Sequence, residues 1–117
     1  MSAPKYDIHL TQGASFYLSL TLDDDGIPLD LQGHSFAGQV RATPEAEAVL
    51  ANFGFELSDA AQGTVTITLA AAVTQLLPVQ ACVYDLFMFS PAGLSTQLLR
   101  GDLIVAHRVT RQNPGGP

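Results

Sequence analysis

The chain carries a single cysteine, Cys82. A lone thiol excludes an intrachain disulfide and a thiolate metal site, so stability has to come from packing. Basic residues are also scarce: 5 Lys and Arg stand against 11 Asp and Glu, for a net charge of −6. That sign opposes the neutralisation of phosphates, and no local basic cluster offsets it, so neither a nucleic acid nor an anionic membrane is an expected partner. The opening MSAPKYD lacks an apolar h-region. No uninterrupted apolar run approaches the ~20 residues of a membrane span. The expectation is a protein made in a cytoplasm without a secretory signal. What the chain does have is apolar material: 47% of its 117 residues are hydrophobic and only 14% are charged, enough for one globular domain with a real core.

Those apolar residues recur with a period of two. They fall on alternate positions at Tyr6, Ile8, Leu10, at Phe16, Leu18, Leu20, Leu22, and at Phe36, Gly38, Val40, Ala42. The alternation returns at Val49, Ala51, Phe53, Phe55, Leu57, at Val65, Ile67, Leu69, and at Leu99, Leu103, Val105, Val109. With residues 81–89 added, about seven strands are expected, each with one face turned inward. Turn-forming clusters separate them: DDDGIP at 23–28, SDAAQG at 58–63 and SPAG at 90–93. Short strands at this spacing predict an all-β, antiparallel two-sheet sandwich. AAAVTQLLP, 70–78, predicts a helix of two turns ending at Pro78 and crossing between the sheets, and TPEAEA, 43–48, reads as a connection. The expected domain spans 1–110. The tail RQNPGGP, 111–117, has nothing apolar to bury and is expected to be flexible.

Motifs that would signal chemistry are incomplete. Asp23, Asp24, Asp25 and Gly26 suggest a calcium loop, but aligning Gly26 with the loop glycine places Thr21 and Gln32 where the two end ligands belong. Asp-Gly between alternating segments is instead a hairpin signal, because Gly26 accepts the positive φ of such a turn. GHSFAG, 33–38, lacks the last glycine of a nucleophile elbow, where Ala37 stands, so Ser35 reads as an ordinary strand-start residue. His9, His34 and His107 show no ligand spacing, and no carboxylate pair presents itself for glycoside hydrolysis. Arg100-Gly101-Asp102 spells an adhesion tripeptide, yet it lies inside an expected strand rather than at a loop tip. No catalytic residue, metal ligand or cofactor follows from these patterns, and an enzyme is not expected.

One strand is apolar on both faces. In residues 81–89, Cys82, Tyr84, Leu86 and Met88 form a core face, while the opposite face carries Asp85 together with Val83, Phe87 and Phe89. Phe87 and Phe89 either fold under a neighbouring segment such as AAAVTQLLP or form a docking surface. Val83, Phe87 and Phe89 are therefore the candidate interface.

Most of the chain, from about Gln12 to Arg111, resembles the immunoglobulin-like N-terminal domain of phage baseplate upper proteins and related tail and prophage proteins. The resemblance rests on the D-G-x-P-x-D-L-x-G-x-x-F run from Asp25 to Phe36, the V-Y-D-L run from Val83 to Leu86 and the L-L-x-G run from Leu98 to Gly101. These are strand and turn signatures, and they speak for fold more than for activity. Family members attach fibres or receptor-binding proteins to the tail and form symmetric assemblies. Longer members continue into a fibre shaft, whereas this sequence stops at Pro117. The resemblance implies a virion protein made in the host cytoplasm, an adaptor in the baseplate or fibre-attachment region that binds other virion structural proteins and is a homo-oligomer or part of a symmetric assembly. A head decoration protein and a carbohydrate-binding tail module or small tail hydrolase are the alternatives.

Overall fold

The computed structural model describes residues 3–110; the tail expected to be flexible, 111–117, lies outside them. Apolar-polar alternation builds ten strands: β1 (Ile8–Thr11), β2 (Phe16–Thr21), β3 (Asp23–Asp24), β4 (Ile27–Pro28), β5 (Ser35–Arg41), β6 (Ala51–Asn52), β7 (Gly54–Asp59), β8 (Thr64–Leu69), β9 (Ala81–Phe89) and β10 (Ser95–Ala106). A five-stranded sheet in the order β1-β10-β9-β5-β6 faces a three-stranded sheet in the order β2-β8-β7. The strand neighbours are those of an immunoglobulin sandwich, with β5, β9 and β10 as its C, F and G strands and β2, β7 and β8 as B, D and E. All ladders are antiparallel except one: β1 runs parallel to β10, with Ile8 opposite Leu103.

The seven expected strands are all present, and the larger number arises in two ways. Asp23–Asp24 and Ile27–Pro28 form a small hairpin of their own, with Asp24 opposite Ile27. Its two-residue loop, Asp25 and Gly26, has φ of 51° and 84°, the doubly positive pair that a type I′ turn requires. The continuous alternation from Val49 to Leu57 is divided between the sheets. Ala51–Asn52 pairs with β5, Gly54–Asp59 pairs with β8, and the chain changes sheet at Phe53, whose amide donates to the Gly38 carbonyl at 2.9 Å. Val49, Leu57, Tyr6 and Val109, all expected on inward faces, are exposed: Tyr6, Val49 and Val109 lie outside the strands, and Leu57 falls in the irregularity of β7 between Glu56 and Asp59.

The core lies between the sheets in two contiguous clusters. The larger gathers Ile8, Val40, Phe53, Ile67, Cys82, Tyr84, Leu86 and Leu103, among others, and the smaller closes one end around Leu31, Val65 and Met88. Burial raises the Cys82 thiol above its ordinary pKa, against a smaller opposing effect of the Gln80 side chain. Gly38 occupies an inward position that a side chain could not share, since a Cβ there would stand 2.5 Å from the Leu86 side chain and 3.0 Å from the Phe53 ring. The helix α1 (Ala71–Thr74) does cross from β8 to β9 but makes a single turn, shorter than the two expected. Thr74, fully buried, ties it down: its hydroxyl donates to the Ala14 carbonyl at 2.9 Å and accepts from the Gly13 amide at 3.0 Å. That side chain joins the crossover to the loop between β1 and β2.

Candidate functional site

Strict alternation along β9 decides what the outer face of the larger sheet displays. Cys82, Tyr84, Leu86 and Met88 point into the core, so Val83, Asp85, Phe87 and Phe89 point out, and all four are half-buried. β9 is central in its sheet, and pairing with β5 and β10 sets their neighbours. Phe89 lies between Ser35 and Ser95, and Phe87 between Ala37 and Gln97. Asp85 lies between Gln39 and Arg100, and Val83 between Arg41 and Asp102. Uncharged residues, Ser35, Ala37, Ser95 and Gln97, therefore flank the aromatic end, while charges and Gln39 flank the other.

The two rings stack on one another, with centroids 6.3 Å apart and planes inclined by 13°. Neither ring belongs to the buried clusters or to the partly buried shell around them, and Val83 is likewise outside. α1 contributes instead to the core, through Val73 in the shell of the larger cluster. Of the two possibilities the sequence left open for Phe87 and Phe89, the structure shows an outward stack, not rings folded under α1.

Beside the stack, the same face dips into a concavity of about 470 Å³ lined by Lys5, Arg41, Asp85, Gln97, Arg100 and Asp102, among others. Three of the chain's 5 Lys and Arg, namely Lys5, Arg41 and Arg100, lie here. Arg41 is held in place by its hydrogen bonds: its guanidinium donates to the carbonyls of Ala46 at 2.7 Å and Glu47 at 2.9 Å, and to Gln39 Oε1 at 2.8 Å. These bonds fold the 43–48 connection down beside the sheet. Gln97 Nε2 donates to Asp85 Oδ2 at 3.3 Å. Sequence reading singled out Val83, Phe87 and Phe89 but not this polar half, because the residues come from separate strands and only the pairing register brings them together.

The remaining motifs stay apart. Ser35 is the first residue of β5, exposed and opposite Phe89, rather than the apex of a strand-to-helix turn. His34 Nδ1 lies 3.4 Å from the Gln32 carbonyl oxygen. His9 is exposed on β1 and His107 follows β10. Arg100-Gly101-Asp102 is embedded in β10, where a Cβ on Gly101 would come within 2.3 Å of the Tyr6 carbonyl oxygen. Among the described residues, no group of three or more His, Cys, Asp or Glu converges to hold a metal ion.

No family model matches the chain, and no curated protein matches its sequence. Among solved structures, the chain is similar to the N-terminal domain of phage TP901-1 ORF48, with 14% sequence identity and a TM-score of 0.53 over 84% of this chain and 82% of that one. At that identity the likeness speaks for the fold, and the two chains share this all-β sandwich over most of their lengths.

Proposed function

We propose that the protein is a structural, non-enzymatic component of a tailed phage particle, an adaptor in the baseplate or tail-fibre attachment region that binds other virion proteins through the outer face of its larger sheet. The stacked Phe87–Phe89 pair carries this reading. Two aromatic rings on a central strand, flanked by Ser35, Ala37 and Ser95 and adjoined at one end by Asp85, Arg100 and Asp102, have the make-up of an interface: an apolar patch next to charged and amide groups. The sandwich shared with a domain of a phage protein supports placing it in a virion.

The double substitution Phe87→Ser with Phe89→Ser tests the proposal. The isolated domain should keep its circular dichroism spectrum while its incorporation into particles is lost. A folded double variant that assembles normally would remove the stack from the interface.

A second reading draws on the neighbouring concavity, where amides and carboxylates (Gln39, Gln97, Asp85, Asp102) line one wall and Gln97 is the cross-strand neighbour of Phe87, polar groups of the kind that sugar hydroxyls engage. Specific retention of the purified protein on a glycan array, lost in Asp85→Ala, would favour this carbohydrate-binding role over the adaptor.

A further inference from the structure

The three-stranded sheet ends on one side in β2, whose sequence Phe-Tyr-Leu-Ser-Leu-Thr has no charge, no proline and no glycine. It pairs with β8 without a bulge from Phe16 opposite Leu69 to Thr21 opposite Thr64. The Leu22 amide donates to the Gly63 carbonyl at 2.8 Å, which phases the ladder. Counting back by twos, the backbone groups of Leu20, Leu18 and Phe16 face β8, and those of Tyr17, Ser19 and Thr21 face away. Among the described residues, no other segment takes up these outward groups.

The side chains show the same incompleteness. Phe16, Leu18 and Leu20 point between the sheets yet are only half-buried, whereas their neighbours on β8, Val65, Ile67 and Leu69, are 0%, 0% and 2% exposed. The remaining sheet edges are blunted. β6 has two residues and β1 four, while β7 carries Glu56 and Asp59 with an irregularity between them. A long, flat, uncharged edge is the kind that native proteins otherwise guard against.

We infer that β2 is a strand-addition surface whose occupant is the β2 strand of a second copy, paired antiparallel about a two-fold axis at Ser19. β2 is complementary to itself in this register. Tyr17 falls opposite the partner copy's Thr21, and Ser19 opposite its own equivalent, so every outward amide and carbonyl of the three residues is paired. On the inner face, Leu18 meets Leu20 and Phe16 meets Leu22, so the half-buried apolar row of each copy covers that of the other. The two three-stranded sheets become one sheet of six strands. Because no charged side chain lies on β2, two chains of net charge −6 can approach here without like charges in contact. The contact is isologous and closes at two copies. It is separate from the aromatic stack on the opposite sheet, so either assignment can fail without the other.

Sedimentation equilibrium of the full chain tests it. A concentration-dependent monomer–dimer equilibrium is expected, with the Tyr17, Ser19 and Thr21 amides gaining protection from hydrogen exchange as concentration rises. Ser19→Lys and Ser19→Glu each set like charges opposite one another at the two-fold axis, on an exposed face where a monomer tolerates them. Each alone should raise the dimer dissociation constant by roughly tenfold or more, and an equimolar mixture of the two should restore dimerisation. A wild-type chain that stays monomeric at all accessible concentrations would overturn the inference. So would a dimer indifferent to both substitutions, or a failure of the mixture to recover.

Discussion

The Tyr84 hydroxyl donates to the backbone carbonyl of Tyr6, joining the central strand of the larger sheet to the segment that leads into β1. Tyr84 is 4% exposed, and its ring meets Phe53 edge-on with centroids 5.8 Å apart. Burial first, then the nearby Tyr6 phenol and Asp7 carboxylate, push its pKa from the ordinary 10.0 up to about 12. In the unfolded chain the phenol ionises at its ordinary value, so the stabilisation is complete below about pH 10 and is lost as the pH rises towards about 12. Unfolding free energies from urea titrations between pH 9 and pH 12 should therefore fall more steeply for wild type than for Tyr84→Phe, by an amount on the order of 1–3 kcal/mol. Parallel curves would mean that the phenol is not protected in the fold.

Gly26 is open on all sides, with nothing within 4 Å of where its Cβ would stand, so a substitution there meets only the backbone conformation. At φ of 84°, Gly26→Val should cost about 1 kcal/mol or more in thermal denaturation. Replacing Asp23 and Asp24 with Ser should change stability little, because the one hydrogen bond at stake, from the Gly26 amide to Asp23 Oδ2 at 3.1 Å, is solvent-exposed. Calcium should leave the melting temperature of either protein unmoved, and a calcium-dependent rise abolished by the Asp substitutions would turn the hairpin back into a metal loop.

Ile67→Ala should be the costliest of the inward truncations, ~2–5 kcal/mol, since the side chain is wholly buried between the sheets. Phe16→Ala and Leu20→Ala should cost less, because both lie half-exposed on the edge strand. Tyr17, Ser19 and Thr66 on the opposite face should accept alanine readily. Urea denaturation of the six variants provides the ranking, and equal sensitivity on both faces would contradict the sandwich.

Thr74→Val is nearly isosteric, yet it should destabilise the domain by about 1–3 kcal/mol. It removes the hydroxyl that serves both the Gly13 amide and the Ala14 carbonyl at a site closed to water. Thr74→Ser, which keeps the hydroxyl, should recover most of the loss in the same thermal denaturation assay.

Thr74 also marks where local pattern stops being informative. Within AAAVTQLLP, nothing distinguishes a threonine facing water from one that fastens two loops, because its partners stand 60 and 61 residues away. Arg41 is similar: its carbonyl partners at Ala46 and Glu47 are near in sequence, but the fold of the connection brings them within reach. In contrast, the turn at Asp25-Gly26 was legible, since a two-residue loop needing positive φ leaves few choices of residue, although the hairpin it closes joins Asp23–Asp24 to Ile27–Pro28 and not the alternating segments on either side, which go to different sheets.

Alternation determined which side of a strand each residue takes, because successive side chains on a strand must point to opposite sides, though not whether that side is covered, as the exposed Tyr6, Val49, Leu57 and Val109 show. It correctly assigned both faces of β9, and with them the outward position of Val83, Phe87 and Phe89. Pairing is a different kind of information. Tertiary structure decided that the alternation through Phe53 changes sheet, that β1 runs parallel to β10, that Asp85 sits across from Arg100, and that β2 is left as an open edge. The period of a strand is a property of its own backbone, whereas its neighbours are chosen by hydrogen bonds and burial contributed by distant parts of the chain.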